Sequence, residues 1–480
     1  MASVIPEMIQ GDIFPGLPKK TETFLFFRIN GDLNKFKSDL ASFLPLITTG
    51  AQVLEDRNRI AQHKRNRAGG LLKLSGVNIS FSTQGLSKLG LNGSENKIND
   101  QVFEDGMLSD AQALGDKGTT VDGKYTPAWD SGFVSQDIDG VVLVTGDCQT
   151  TVDEAIYKVK QVFGAGQPNA SITEAFLIVG VVRPDAEEGH EHFGFEDGVS
   201  LPSIDGLDTA PNKGQVPIPQ GVVLCDRTGD NDDNKQAIPR PDWAKDGSFL
   251  CFRKLAQLVP EFDAFLENNK IQGVENGKEL LGARLVGRWK SGAPVILAPL
   301  KDDPQLAKDS ARNNDFDFSQ DPGQVCPFAA HIRKTNPRTD FISAGLNDTT
   351  ALTNHLFPRR GIPYGPEVTP EESSTHRTTE DRGLLFVCYQ SNLSHGFQFV
   401  QKSWANNQGF IFGKNPNPGF DPIIGQNADD TDRNMTGASL NDVAGNLNLG
   451  PFEWVVSKGG AYFFSPSIRA LRENFAAVAA

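Results

Sequence analysis

One order of apolar runs recurs in both halves of the chain, and it limits the fold more than any other feature. Thr23-Phe24-Leu25-Phe26-Phe27-Arg28-Ile29 is a short run rich in strand-forming residues. Asp32 to Ile47 follows, with Leu33, Phe36, Leu40, Phe43 and Leu44 at helical spacing and Asp32 placed to cap. Gly70 to Phe81 supplies another strand or two, Gly140 to Val144 a strand, Thr151 to Phe163 a helix, and Ala175 to Val179 a closing strand. In the second half Phe249-Leu250-Cys251-Phe252-Arg253 echoes the first strand, and a helical pattern runs from Leu255 to Leu266. Gly383 to Val387 echoes Gly140 to Val144, His395 to Trp404 is the matching helix, and Gly460 to Phe464 the last strand. The order β-α-β-β-α-β is the split unit called ferredoxin-like. The sequence therefore predicts an α+β protein made by tandem duplication of one antiparallel unit.

The second copy is the looser one. Ser200 to Gly247, Pro299 to Asp381 and Asn406 to Glu453 are rich in Asp, Asn, Pro and Gly, and loops of this length in a compact domain carry function. The 32 Phe against 5 Tyr and 5 Trp point to a core of phenyl rings, which bring no polar atom to satisfy. A net charge of −14 argues against nucleic acid and against an anionic membrane surface as partners. The basic run His63 to Arg67 reads as a solvated face. Five cysteines without a C-x-x-C pair indicate neither a zinc site nor a full disulfide framework. The N-terminus lacks a signal-peptide pattern, so the chain is expected to be either intracellular or secreted with its export signal removed. Sequons at Asn78, Asn92, Asn169, Asn347, Asn392 and Asn434 lean weakly toward secretion.

There is no H-E-x-x-H, G-x-S-x-G, Walker A loop or helix-opening G-x-G-x-x-G, which weakens hydrolase, NTPase and dinucleotide readings. Two segments carry chemistry instead. Gly194-Phe195-Glu196-Asp197-Gly198 places an acid between flexible residues, beside His192. Cys326-Pro327-Phe328-Ala329-Ala330-His331-Ile332-Arg333-Lys334 places a histidine after apolar residues and before two cations, which suits a neutral imidazole on haem iron with Arg or Lys meeting the propionates. Alone, the first segment is equally an Asp-Gly turn.

Together with Pro358-Arg359-Arg360-Gly361-Ile362-Pro363-Tyr364-Gly365 and Val286-Gly287-Arg288-Trp289-Lys290-Ser291-Gly292-Ala293-Pro294, these segments resemble the dye-decolorizing peroxidases, in the order of the long fungal members. The resemblance covers nearly the whole chain. It implies two ferredoxin-like domains of the dimeric α+β barrel type, an N-terminal one over residues 1–200 and a C-terminal one over 201–480 that holds haem b. It implies His331 as the axial ligand of the haem iron and Asp421 as the carboxylate on its other nitrogen. Asp197 is implied as the acid–base group and Arg359 as the charge stabiliser, with spacing alone leaving Arg359 and Arg360 open and His192 as a rival base. Gly198, Arg333, Leu384 and Phe386 are implied at the haem, and Trp404 and Tyr364 as surface electron-transfer residues. The implied substrates are hydrogen peroxide and bulky aromatic donors such as dyes and phenolics, with Mn(II) a further donor that the acidic charge allows. The chain would be a monomer or a homodimer. Two other readings stay open at this point: a haem-thiolate enzyme using Cys326, and a haem carrier or sensor without turnover.

Overall fold

The computed structural model describes residues 4–66, 69–135, 137–343, 352–427 and 431–477. Arg67 of the basic run and the sequon at Asn347 lie outside them. In the first half β1 (Thr21–Ile29), α1 (Leu33–Phe43), β2 (Ser75–Phe81), β3 (Gly140–Gly146), α3 (Gln149–Phe163) and β4 (Ile172–Val181) follow the expected order. Asp32 caps α1, its carboxylate accepting the Lys35 N–H at 2.9 Å. Among the further helices of this half, α2 (Gly50–Arg65) buries only Gly50 and Val53, so it has no apolar stripe for a sequence to show. Its start is marked by a capping box between Thr49 and Gln52.

The second half contributes β5 (Ser248–Gln257), α4 (Val259–Asn268), α5 (Gly277–Val286), α6 (His331–Thr335), β6 (Ile362–Tyr364), β7 (Gly383–Gln390) and β8 (Val455–Ser465). Two elements differ from expectation. The helix expected from Leu255 begins at Val259, because Leu255 is still a strand residue opposite Leu384. Pro260 then sits in the first helical turn, where its missing N–H costs nothing. The segment expected as a helix over 395–404 is instead a turn, a short α segment at Phe397–Phe399 and a π turn at Val400–Ala405.

The strands form one eight-stranded antiparallel sheet in the order β6-β7-β5-β8-β2-β3-β1-β4. The two halves join where Phe464 of β8 pairs with Phe81 of β2. The end strands meet as well, since a Cβ placed at Gly180 of β4 would strike Ile362 of β6. The sheet is thus rolled into an α+β barrel of two ferredoxin-like halves, as expected. Its interior is aromatic: Phe26 lies 5.2 Å from Phe252 and 6.1 Å from Phe463, between ring centroids, so the first half packs directly on the second. Outside, α1 and α3 cover the first half through Phe36, which stacks on Phe27 and Phe163. The corresponding outer face of the second half is the floor of a cavity.

Phe26 is fully buried and also stacks on Phe176 at 4.5 Å. Phe26→Ala is expected to cost about 3–5 kcal/mol through lost burial and a residual void. Urea unfolding should show one transition at lower midpoint. Two separated transitions would mean that the halves do not share this core.

Candidate active site

Register places the first residues of the site. Across β5 and β7, Leu255 faces Leu384 and Arg253 faces Phe386, and all four side chains line the cavity. They share a face because opposite residues of an antiparallel pair point the same way. One wall is the α6 segment. His331 opens that helix, and its Nδ1 lies 2.9 Å from Oδ2 of Asp421. Asp421 is fully buried, and its Oδ1 accepts the N–H groups of Ile423 and Ile424 at 2.8 and 2.9 Å. Burial alone would push this carboxyl up, but His331 and the two amides outweigh it and hold the group below the usual carboxylate range. An anionic Asp421 fixes the proton on Nδ1, so Nε2 presents its lone pair to the cavity.

Elsewhere in the cavity lining Arg359 donates through Nη1 to Oδ1 of Asp197 at 2.6 Å, and the Gly198 N–H reaches the same oxygen at 2.6 Å. Both side chains line the cavity and stay partly open to it, at 35% for Asp197 and 30% for Arg359. Glu191 holds the loop shape from inside by accepting the Phe193 and Phe195 N–H groups. Gly198 sits at φ +80°, a conformation that a side chain would strain. Burial raises the Asp197 carboxyl, but the Arg359 charge, its hydrogen bond and the Gly198 amide bring it below its ordinary value. Arg359 is placed by a backbone bridge to Cys388 of β7. Its neighbour Arg360 points the opposite way, onto the carbonyls of Asp12 and Ile13.

Several expected residues lie elsewhere. Arg333 does not reach the cavity. It is fully buried, donating to Asp321 at 2.9 Å and Asp340 at 2.6 Å, with its guanidinium over Phe318 and Phe328. Helical periodicity explains this, since two residues after His331 a side chain leaves on another face. Trp404 is no surface residue: it is 1% exposed, stacked on Phe410 at 4.9 Å and edge-on to His355 at 5.0 Å. Tyr364 is also buried, its hydroxyl donating to Asp381 at 2.9 Å. His192 does not line the cavity, and its Nε2 lies 2.9 Å from the Tyr364 carbonyl. Cys326 is fully buried and does not line the cavity, so its sulfur does not reach the site, and burial pushes its thiol up to about 12.

Two residues escaped sequence reading as site members. Arg288 and Arg338 line the cavity, held by backbone carbonyls and by Asn314. Burial pushes Arg288 down to about 9, with Arg338 and Arg359 adding repulsion, and Arg338 down to about 10. Among the described residues no carboxylate pairs with either. The only signal was Arg288 inside the quoted Val286–Pro294 stretch; Arg338 carried none. One imidazole lone pair on a wall and two cavity-lining guanidiniums with no carboxylate partner among the described residues match a planar iron porphyrin with two carboxylate arms.

The comparisons agree with this geometry. The DyP dimeric alpha+beta barrel domain model matches residues 8–184, and the Dyp-type peroxidase C-terminal model matches 226–410. "Peroxidase 2" of Mycetinis scorodonius is 43% identical, covering 97% of this chain and 86% of that protein. The solved structure of an ancestral D-type dye-decolorizing peroxidase is 54% identical with a TM-score of 0.92, covering 99% of this chain and 100% of that one. A dye-decolorizing peroxidase solved in complex with 2,6-dimethoxyphenol is 40% identical with a TM-score of 0.86, covering 99% and 100%. With both domain models matched in order and such relatives along its length, the chain belongs to the Dyp-type family of haem peroxidases, the dye-decolorizing peroxidases.

Proposed function

We propose that the cavity holds haem b between His331 and the Asp197–Arg359 pair, and that the enzyme uses it to reduce hydrogen peroxide at the expense of aromatic donors, dyes and phenolics among them. The observation that carries this reading is the hydrogen-bonded acid and guanidinium lining the same cavity as an imidazole whose Nδ1 is held by Asp421. A carrier or sensor needs the imidazole but has no use for a carboxylate paired with a permanent cation. Arg288 and Arg338 would meet the propionates, a role that sequence gave to Arg333. Leu384 and Phe386 would line the approach, and Gly198 would let the loop come close to the ring.

The haem supplies the electrons that cleave the O–O bond when it is bound. The protein's residues manage the protons and the charge. Asp197 takes the proton from the inner peroxide oxygen and returns it to the outer one, which leaves as water. Arg359 stabilises the negative charge that grows on the departing oxygen. Asp421 keeps the His331 Nδ1 proton in place, which makes the facing nitrogen a stronger donor.

Mn(II) stays outside the proposal, because among the described residues no cluster of three acids, imidazoles or thiols is arranged to hold a cation. The chain divides near residue 200, into units 1–200 and 201–480; the matches to 8–184 and 226–410 support this division. Secretion is supported by an exposed sequon at Asn169, whereas Asn78 is buried within β2 and its amide donates to Thr48. Among the described residues no helix is long and apolar enough to cross a membrane.

His331→Ala should abolish the Soret absorbance of purified protein reconstituted with haem, and Cys326→Ala should leave it. The reverse result would favour the thiolate. Asp197→Asn should slow the reaction with peroxide by about 10²–10⁴-fold in stopped-flow mixing, the range of a lost acid–base group, with haem uptake unchanged.

The pH dependence has a definite sign. Protonation of Asp197 removes the proton acceptor, and its folded-state value is held below that of an ordinary aspartate, so activity should persist into acid where an ordinary imidazole base would be protonated and fall only below the ordinary carboxylate range. Arg359→Leu removes the main lowering influence and leaves burial opposed only by the Gly198 amide and the nearby His331, so the acid limb should move to higher pH in rate profiles. A limb that stays in place would show that another group titrates. The pH profile does not distinguish His192, which burial takes down to about 4, but His192→Gln should leave peroxide reduction intact.

A further inference from the structure

One row across the sheet is made of oxidisable side chains that the reading above does not use. Cys251 of β5 is the direct cross-strand partner of Cys388 of β7, and Tyr462 of β8 is its partner on the other side. All three are buried, at 0, 0 and 3%. Cys388 Sγ accepts the Gln390 amide at 3.6 Å, and the Tyr462 hydroxyl donates to Oδ2 of Asp110 at 2.8 Å. The row lies on the cavity face of the sheet. Cys388 follows Phe386, and Cys251 precedes Arg253, each by one full strand period, so the thiols stand roughly 7 Å beyond the cavity floor. Phe397 bridges the gap: it lines the cavity, its ring is 5.9 Å from Phe386 and 6.5 Å from Tyr462. On the far side of β7, Cys388 bridges through its backbone to Arg359.

We propose that Cys251 and Cys388 form an internal two-electron reserve, closing into a cross-strand disulfide when peroxide is reduced and no external donor arrives. The inference rests on the peroxidase reading above. Directly opposed residues of an antiparallel pair have Cα atoms about 4.5–5.5 Å apart, inside the roughly 4.4–6.8 Å that a disulfide spans, so the strand spacing admits the bond. The stoichiometry matches the oxidant. Both S–H bonds break, one S–S bond forms, and the two electrons and two protons released complete the reduction of one hydrogen peroxide to two waters. Asp110, reached through the Tyr462 hydroxyl, is a carboxylate at the end of the row that can take a proton on the way. Burial also shields the pair from direct attack by peroxide in solution. It holds the Cys251 thiol well above its ordinary value, and a protonated thiol shut away from solvent reacts poorly with peroxide directly. Electrons leave it only through the protein.

The test treats haem-loaded enzyme with a few equivalents of hydrogen peroxide, without donor, then denatures it in acid and alkylates before peptide mapping. The Cys251 and Cys388 peptides should lose alkylation and appear as one linked species, with loss of two hydrogens from the intact mass. Cys225 and Cys326, equally buried, should remain alkylated. A phenolic donor in excess should suppress the linkage, and haem-free protein or Asp197→Asn under the same pulse should not form it. Cys388→Ser should leave Cys251 alkylated and lower the peroxide consumed without donor. If a parallel sample oxidises the phenol while both thiols stay free, the reserve is overturned and the peroxidase reading stands. Linkage of equal extent in haem-free protein also overturns it, since peroxide would then act directly. Failure of both phenol oxidation and linkage overturns the peroxidase reading and the reserve with it.

Discussion

A buried guanidinium must find an acceptor for each of its donors, and the long loops of the second half are built around that demand. Arg284 is fully buried and donates to the carbonyls of Ala438, Val325, Gln324 and Gly437, tying α5 to two loops at once. Arg382 meets the Glu372 carboxylate and the Pro366 carbonyl just before β7 begins. Arg333 joins Asp321 and Asp340 behind His331. Removing one member of such a pair leaves an uncompensated charge, at a cost of about 3–5 kcal/mol, so these polar segments hold their shape without an apolar core of their own. Arg288 and Arg338 are the counterpart. Arg288 is buried and Arg338 half-buried, both met by carbonyls and an amide, yet no carboxylate pairs with them among the described residues. The same rule that explains the loops explains why an anionic group belongs between these two.

Much of this was legible in the chain. The strands over 23–29, 140–144, 175–179, 249–253, 383–387 and 460–464 appear within longer observed strands, because apolar runs of that length have few other uses. The α+β duplication followed from their order. Helix α2 was not legible, since it buries too little for a periodic pattern, and the π turn at 400–405 was read as an ordinary helix because its spacing is close to helical. At the site, the motif order brought Asp197, Arg359, His331 and Asp421 forward. What motifs could not tell was direction. Arg333 and Arg338 are both cations downstream of His331, and only the path of α6 decides that the first turns into the wall and the second lines the cavity. Trp404 shows the same limit: the ring is where a surface donor was expected in sequence, but Phe341 and Phe410 cover it.

The two faces of β7 make the dependence of chemistry on register concrete. Leu384, Phe386 and Cys388 look to the cavity side, and Leu385, Val387 and Tyr389 look into the barrel. A slip of one residue would exchange the two sets and put Tyr389, whose hydroxyl belongs to Asp12, where a thiol now stands. Three contacts resist the slip. Gly383 lies so close to the Leu255 carbonyl that a Cβ would collide with it, which fixes the start of the strand. The bridge between Arg359 and Cys388 fixes its other side, and the Arg360 N–H adds a bond to the Val387 carbonyl at 2.7 Å. Arg359 and Arg360 therefore face opposite ways because consecutive extended residues must, with one guanidinium delivered to Asp197 and the other to the N-terminal segment. The identity of the distal arginine is thus set by strand alternation rather than by the two side chains themselves, which are chemically the same.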